Sequence, residues 1–222
     1  MDKFIELKEI SFSYKKGRNI FDGLSMTLDC KESTVITGSN GSGKTTLAKI
    51  IMGILKISSG EITIMRENAA HMSLGKTGEL IGYVFQHPER QLFAASVFDE
   101  LTFPLMIKGT AAAEASARAQ EMLDLFELDK VRDSYPHFLS YGEKRRLAVA
   151  AVLMNKPKYI ILDEPTASLD AKRIDTLSRV LKKLEDENIG MLIISHDREF
   201  TKRHGQRIIE LEGGKILNDV RY

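Results

Sequence analysis

The chain has 222 residues, 43% of them hydrophobic, which is enough for one folded domain with a buried core. Its 32 lysines and arginines nearly balance its 31 aspartates and glutamates, which excludes an overall positive field that would gather nucleic acid or an anionic membrane surface. A single cysteine, Cys30, excludes an intramolecular disulfide framework and suits a reducing compartment.

We expect neither a secretory signal nor a membrane span. The N-terminal MDKFIELKEI carries charges throughout and has no apolar segment of the kind that directs export. The longest apolar stretch, Leu147 to Met154, is far shorter than the ~20 residues that cross a bilayer. The chain is therefore expected in the cytosol, without direct membrane insertion, and any membrane role would go through a partner.

Strand patterns occur from one end of the chain to the other. KFIELKEISFSY and SMTLD near the N-terminus are typical of antiparallel strands, and RIIELEGGKILND predicts a hairpin around Gly213 and Gly214. Between them lie continuous apolar runs, which are typical of strands covered on both faces in a parallel sheet. These runs are Ser33–Thr37, Ile81–Gln86, Tyr159–Asp163 and Met191–Ser195.

Helical patterns separate the strands. A helix is predicted after Asp170, where apolar residues recur at helical spacing, and Gly190 is expected to end it. Residues 88–157 form a mainly helical insertion that includes the alanine-rich run from Thr110 to Leu128. We expect an α/β fold in one domain, 1–222, with a parallel-sheet core and an antiparallel β subdomain in 1–87 and 158–222.

Residues 38–45 read GSNGSGKT, between the strand-like TVIT and the helix-like TTLAKIIMG. Glycines let backbone N–H groups turn toward phosphate oxygens, Lys44 supplies charge for the β- and γ-phosphates, and Thr45 offers a hydroxyl to Mg²⁺. The positive end of the following helix favours the same anion. The segment predicts a P-loop NTPase core. Its candidate nucleotide-binding residues are Gly38, Ser39, Asn40, Gly41, Ser42, Gly43, Lys44, Thr45 and Thr46.

The apolar run in YIILDEP ends in two acids that suit the same chemistry. Asp163 is a candidate Mg²⁺ ligand through water, and Glu164 is a candidate base for the attacking water. Two acids at the end of a buried strand are costly unless they face a metal. No Asn-Lys-x-Asp motif for reading guanine occurs, so ATP is the expected nucleotide.

Residues 138–148 read FLSYGEKRRLA, just ahead of a helical stretch. Ser140 and Glu143 have the spacing of a capping box, in which each satisfies the other's backbone N–H. Gly142 leaves the backbone bare at the start of the helix, and such an end is also a site for anions. The segment thus predicts a helix cap and an anion site together.

LSYGE and the following KRRLAVAAVLMNKPKYIILDEPTASLD resemble the signature, Walker B and D-loop block of ATP-binding cassette (ABC) ATPases, with the family's LSGGQ altered at its third and fifth positions. Other elements follow in the family's order. Tyr14, 24 residues before Gly38, resembles the aromatic residue that stacks on adenine. Gln86 resembles the Q-loop glutamine, Ser168-Leu169-Asp170 the D-loop, and His196 in ISHD the switch histidine.

The resemblance implies the ABC ATPase fold and hydrolysis of Mg²⁺-bound ATP. Thr45, Gln86 and Asp163 would surround the metal. Glu164 would be the base and His196 the sensor of the γ-phosphate, with Gln86 completing the catalytic set.

The same resemblance implies a head-to-tail dimer with a second ABC ATPase chain, identical or different. Ser140 and Gly142 would then contact the γ-phosphate of a nucleotide held by the other chain. A carboxylate beside that phosphate is unfavourable, so we expect Glu143 to cap its helix and Tyr141 to pack outward.

The segment HPERQLFAASVFDELTFPL after Gln86 is similar to the corresponding region of the ATPases of energy-coupling factor (ECF) importers, with His87 in place of the usual Asn. This implies transmembrane transporter subunits as partners, at the cytoplasmic face of the cell membrane. Gln91, Leu92 and Phe93 would be the coupling residues, and an ordinary amphipathic contact between lobes is the alternative.

The expected function is to power a membrane transporter, an importer of a vitamin or a transition-metal ion. The short stretch after the final hairpin favours an ATPase dedicated to one importer. Two alternatives are an ABC ATPase of another transporter class and a non-transport ATP-gated dimerisation module. A nucleic-acid partner is not expected. A repair ATPase needs a long coiled-coil insertion and usually a basic face, and neither is visible in the sequence.

Overall fold

The computed structural model describes residues 3–14, 17 and 19–222, and in this part of the chain the strands form two sheets. The larger sheet has the order β10-β9-β3-β8-β7-β6. Strands β3, β6, β7, β8 and β9 are parallel neighbours, and β10 pairs antiparallel with β9. Their bounds are Ser33–Thr37 (β3), Ile81–Val84 (β6), Tyr159–Asp163 (β7), Met191–Ile194 (β8), Arg207–Glu212 (β9) and Lys215–Arg221 (β10).

The predicted parallel strands are confirmed, and the C-terminal hairpin turns at Gly213 and Gly214, both with positive φ. The run predicted to reach Gln86 ends as a strand at Val84. Gln86 therefore lies in the loop beyond the carboxyl end of β6, where parallel sheets usually bind ligands.

The smaller sheet is antiparallel, with the order β2-β1-β4-β5. Its bounds are Lys3–Ser13 (β1), Asn19–Asp29 (β2), Ser59–Ile64 (β4) and Glu67–Asn68 (β5). It confirms the antiparallel strands predicted near the N-terminus.

Helices connect and cover the strands. Their bounds are Lys44–Ile51 (α1), Leu74–Leu80 (α2), Val97–Ile107 (α3), Ala112–Leu125 (α4), Tyr141–Met154 (α5), Ala171–Asp186 (α6) and Arg198–His204 (α7). Short 3₁₀ turns lie at Ala69–His71, Pro88–Arg90, Asp129–Val131 and Pro136–Phe138. Helices α3, α4 and α5 fall within residues 88–157 and contact one another. The exact subdomain limits remain a prediction.

The strand β7 separates two apolar cores. Ile160 and Leu162 face the helices α3 to α6, whereas Tyr159 and Ile161 face α1 and the smaller sheet. Alternate residues of a strand point to opposite faces of the sheet. Because both faces of β7 are covered, all four side chains are buried. The two cores thus hold in place the strand that leads into the acidic pair.

Gly190 does not end a helix, contrary to the prediction. Helix α6 ends at Asp186, and Asn188 takes the left-handed conformation with φ 59°. Gly190 instead donates its N–H to the Cys30 carbonyl at 2.7 Å, and a Cβ atom there would lie 2.6 Å from that oxygen. The glycine is required by a close backbone approach.

None of the described helices combines the length and the apolar character needed to span a membrane.

Candidate nucleotide-binding site

The phosphate loop lies between β3 and α1. Gly38, Gly41 and Gly43 have φ values of 141°, 81° and 110°, a region that side chains disfavour. Gly38 also has no room for a side chain, because a Cβ atom would lie 1.9 Å from the Leu211 carbonyl oxygen of β9. The loop therefore needs glycine for both conformation and space.

The charge of Lys44 is held inside this loop. Its Nζ donates to the carbonyl oxygens of Gly38 at 2.9 Å and Ser39 at 2.8 Å. Burial lowers the pKa of Lys44, while the carboxylates of Glu164 and Asp163 act in the opposite direction. The ammonium thus stands between the loop and the acidic pair.

A carboxylate fixes the outer edge of the loop. Ser39 donates its N–H and its hydroxyl to Glu212 of β9, at 3.1 and 2.7 Å. These bonds lower the pKa of Glu212. Glu212 was not singled out from the sequence, since the acid follows the loop by 173 residues and only β9 brings it back.

Asp163 lies at the carboxyl end of β7 and is completely buried. Its Oδ2 accepts a hydrogen bond from the Tyr83 hydroxyl at 3.4 Å, while Oδ1 has no hydrogen-bond partner among the described residues. Burial raises the pKa of Asp163, and the hydroxyls of Thr45 and Tyr83 oppose that shift. An unpaired buried carboxylate oxygen is costly unless a ligand satisfies it.

The donors around Asp163 fit Mg²⁺. Thr45 and Gln86 line the same cavity, and together the three residues offer carboxylate, hydroxyl and amide oxygens. The described residues contain no cluster of three or more His, Cys, Asp or Glu that would hold a metal ion alone. The set suits a metal that keeps waters and binds phosphate oxygens as well.

Glu164 adopts a conformation that is unusual for its type, with φ 53°. Its N–H donates to the Ile194 carbonyl at 2.9 Å, which ties it to β8, and its Oε1 lies 3.4 Å from His196 Nε2. Burial raises the pKa of Glu164, and His196 acts in the opposite direction. A carboxylate with a raised pKa is better suited to accept a proton near neutral pH.

Two hydrogen bonds to its backbone carbonyl hold Gln86 in place. Its carbonyl oxygen accepts from Tyr141 Oη and from Arg145 Nη2, both at 2.9 Å. Arg145 Nη1 also donates to the Asp163 carbonyl at 3.2 Å. Arg145 was missed in the sequence, although its spacing of four residues from Tyr141 on a helix could have suggested a shared surface.

Tyr14 lies at the mouth of the site and is half exposed. Its hydroxyl is 3.2 Å from Thr46 Oγ1, and its ring meets Phe12 edge-on with centroids 4.9 Å apart. An aromatic ring exposed at the mouth of a cavity can stack on a planar ligand.

A cavity of about 630 Å³ brings most of the predicted site residues together. Five predicted site residues do not line it, namely Gly38, Ser39, Ser42, Ser140 and Gly142. The predicted residues that line it are Tyr14, Asn40, Gly41, Gly43, Lys44, Thr45, Thr46, Gln86, Asp163, Glu164 and His196.

The start of α5 has the predicted capping box. Ser140 Oγ accepts from the Glu143 N–H, and the Glu143 carboxylate accepts the Ser140 N–H at 2.9 Å. The Ser140 hydroxyl also donates to that carboxylate at 2.6 Å, and the bonds that the carboxylate accepts from Ser140 lower the pKa of Glu143. A Cβ atom on Gly142 would lie 3.3 Å from the Ser168 carbonyl, so the glycine also allows this loop to approach the Ser168–Asp170 segment.

Tyr141 remains 37% exposed, but its hydroxyl does not point outward. Its hydroxyl turns back onto the Gln86 carbonyl, and its ring lies beneath the Arg145 guanidinium, 5.3 Å from it. The reason is that Gln86 supplies a nearby acceptor for the tyrosine hydroxyl and Arg145 a cation for its ring.

The predicted coupling residues separate into inward and outward side chains. Gln91 is partly buried, accepts from the Phe85 N–H and donates to the Tyr83 carbonyl, and Leu92 is only 4% exposed. The coupling role of these two residues remains a prediction. Phe93 is 61% exposed.

Phe93 belongs to an exposed apolar surface on the helical part. Its ring meets Phe103 edge-on at 4.9 Å, and Tyr135 meets Phe138 in the same way at 5.4 Å. His137 joins the two pairs through a contact of 3.1 Å with the Leu92 carbonyl. We call this the aromatic surface, and it consists of Phe93, Phe103, Met106, Ile107, Tyr135 and Phe138.

A glycine-rich loop that enters a helix opposite buried acids defines a P-loop nucleotide-binding protein. The family model described as "ABC transporter" matches residues 21–167, about two thirds of the chain. The chain therefore belongs to the ABC transporter family and is an ABC ATPase, which confirms the predicted fold and enzyme class.

Among its relatives is the energy-coupling factor transporter ATP-binding protein EcfA of Methanothermobacter thermautotrophicus, 36% identical over 215 residues, covering 96% of this chain and 69% of EcfA. Some relatives are longer: the chain spans 43% of one from Methanosarcina mazei, to which it is 37% identical.

Solved structures give the same family. CbiO1 from Clostridium perfringens, described as part of the ABC transporter complex cbiONQ, has a TM-score of 0.85 and 32% identity, covering 100% of this chain and 89% of that chain. The dimeric ATP-binding cassette MJ0796, in a post-hydrolysis state bound to ADP and Pi, has a TM-score of 0.89 and 28% identity, covering 98% of each chain.

Proposed function

We propose that this ABC ATPase powers an importer of the ECF type, in which it binds Mg²⁺-ATP and drives membrane subunits that carry a vitamin or a transition-metal ion. The observation that carries the proposal is the pairing of a complete cavity for ATP with an exposed aromatic surface next to the Gln86 loop. Similarity to EcfA and CbiO1 favours this class of importer over other transporters.

The nucleotide follows the cavity from Tyr14 to the acidic pair. Tyr14 stacks on the adenine, because its ring is half exposed at the mouth. Gly38–Thr46 bind the phosphates through backbone N–H groups and the ammonium of Lys44. Bound Mg²⁺ supplies neutralisation of phosphate charge, and Thr45, Gln86 and Asp163 would hold it.

Hydrolysis depends on Glu164 as the base for the attacking water. Burial favours its protonation, and the nearby His196 holds its carboxylate at 3.4 Å. His196 then senses the γ-phosphate from the half-exposed side of the cavity. Gln86 completes the set, since its loop joins the metal site to the helical part.

Ser140 and Gly142 act on a second ABC ATPase chain. They lie at a capped helix N-terminus outside their own chain's cavity, which favours anion binding from a partner. The capping bonds of Glu143 keep its carboxylate on its own backbone and away from such an anion. Two chains in head-to-tail contact would close two such sites.

The aromatic surface is the docking site for the transmembrane subunits, which would hold the ATPase at the cytoplasmic face of the membrane. Six large apolar side chains exposed together are unusual for a surface that contacts only water. Phe93 takes the leading coupling role among residues 91–93, because its side chain is the most exposed of the three.

The solution mass of Glu164→Gln with and without Mg²⁺-ATP tests the dimer, beside Ser140→Arg in the same background. We expect ATP to double the mass, and Ser140→Arg to prevent the doubling. Persistence of the monomer would contradict a homodimer and point to a different ABC ATPase as partner. Absence of steady-state phosphate release by the wild type, alone and with its membrane subunits, would instead favour the non-hydrolysing dimerisation module.

A further inference from the structure

Arg145 is a buried cation whose donors are directed at backbone rather than at acidic side chains. It is 1% exposed and lies on α5, one turn after Tyr141. Its two terminal nitrogens reach the carbonyl oxygens of Gln86 at 2.9 Å and Asp163 at 3.2 Å. A guanidinium has the planar fork needed to hold two acceptors in a fixed relation.

These two carbonyls lie at or just beyond the carboxyl ends of neighbouring strands. Strands β6 and β7 are parallel, with Val84 opposite Leu162, and Gln86 and Asp163 lie at their carboxyl ends. The loop after β6 has no further ladder bond to β7 past this pair. Arg145 therefore connects the two strand ends where the sheet no longer does.

Tyr141 supports the guanidinium. Arg145 Nη2 donates to the tyrosine hydroxyl at 3.1 Å, and that hydroxyl donates in turn to the Gln86 carbonyl. Burial lowers the pKa of Arg145, while Tyr141 and the carboxylates of Asp163 and Glu164 act in the opposite direction. The tyrosine in the altered signature thus has a defined contact within its own chain.

We infer that Arg145 is a positioning residue that fixes Gln86 relative to Asp163, and so sets the geometry of two proposed Mg²⁺ ligands from the helix that carries the signature. This inference rests on the proposed function. Groups that orient metal ligands usually change metal affinity by about 10- to 100-fold when they are replaced.

The test is a binding measurement in the Glu164→Gln background, with Arg145→Lys added. ATP affinity is measured by calorimetry with EDTA and again with saturating Mg²⁺. Lysine keeps the charge but has no planar fork, so we expect the Mg²⁺-dependent gain in affinity to fall about tenfold. Affinity in EDTA should stay within about twofold, because the phosphate loop is untouched.

Arg146→Lys is the matched control. Arg146 is the next residue on α5, is also buried, and also donates to two carbonyls, those of Phe126 and Glu127, away from the cavity. The Mg²⁺-dependent gain should survive in this variant. Equal losses in both variants, or no loss in either, would overturn the inference.

Tyr141→Phe decides the question if Arg145→Lys does not fold. It removes one hydroxyl from a partly exposed ring, and the Mg²⁺-dependent gain should fall about two- to threefold. An unchanged gain would overturn the inference. If the Glu164→Gln parent itself binds no ATP, the proposed function fails and the inference fails with it, whereas a normal parent with unchanged variants removes the inference alone.

Discussion

The nucleotide cavity and the aromatic surface are built on opposite principles. In the cavity, charges and backbone groups are held by short contacts, as for Lys44 and Ser39. On the aromatic surface, large side chains such as Phe138, 86% exposed, make few contacts with the rest of the chain. The first region is complete in its local structure, whereas the second needs a partner to bury it.

Single substitutions in the two regions should therefore affect different properties of the protein. A change in the cavity acts on ATP binding, hydrolysis or folding of the isolated chain. A change on the aromatic surface acts on assembly and leaves the isolated chain nearly unaltered. Four predictions test this separation.

Glu164→Gln should have the largest effect on turnover. Loss of a general base slows reactions by about 10²- to 10⁴-fold, and ATP binding should persist because glutamine keeps the shape of the side chain. Steady-state phosphate release and ATP binding are measured together. Unchanged turnover would remove Glu164 from the role of base.

Gly38→Ala should destabilise the chain and abolish ATP binding. Its Cβ atom would lie 1.9 Å from the Leu211 carbonyl, so the loop or β9 must move. Gly41→Ala is the control: it has positive φ but no atom within 4 Å, and should cost only about 1–2 kcal/mol. Urea unfolding of both variants compares the two, and equal costs would contradict the packing argument.

Asp163→Asn should stabilise the metal-free chain at alkaline pH. Burial raises the pKa of Asp163, so the folded state resists ionisation. Below about pH 4 the aspartate is protonated in both states and costs nothing, and its cost grows as pH rises from there through the folded-state pKa. The melting temperature without Mg²⁺ should therefore rise in the variant at about pH 8 and not at about pH 4. A lower melting temperature at both values would contradict this sign.

Phe93→Ser with Phe103→Ser should have the smallest effect on the isolated chain. Surface changes usually alter stability by about 0.5 kcal/mol or less, so phosphate release and melting should remain nearly unchanged. Co-purification with the membrane subunits should be lost. Leu217→Ser is the control, because this residue on β10 is similarly exposed, and it should co-purify normally. Normal co-purification of the double variant would contradict a docking role.

The sequence predicted best what depends on short segments. The phosphate loop, the strand that ends in Asp163 and the cap at Ser140 are local patterns, and the structure contains each of them. It predicted poorly what depends on distant neighbours. Gly190 faces a carbonyl from Cys30, and Glu212 reaches Ser39 only through the sheet order.

Side-chain direction was the second limit. Gln91, Leu92 and Phe93 are consecutive, yet Leu92 is buried and Phe93 is 61% exposed. The Tyr141 hydroxyl turns toward Gln86 and Arg145, which its own segment does not reveal. Exposure is a property of the folded chain, so the aromatic surface could not be read from composition.

The sheet order also bears on the assembly of the chain during its synthesis. Strand β8, Met191–Ile194, lies between β3, which enters the phosphate loop, and β7, which ends at the acids. A growing chain that has not yet reached residue 191 has the loop and the acids but not the strand that joins them. We therefore expect the loop and the acids to come together as one site only after β8 has been synthesised.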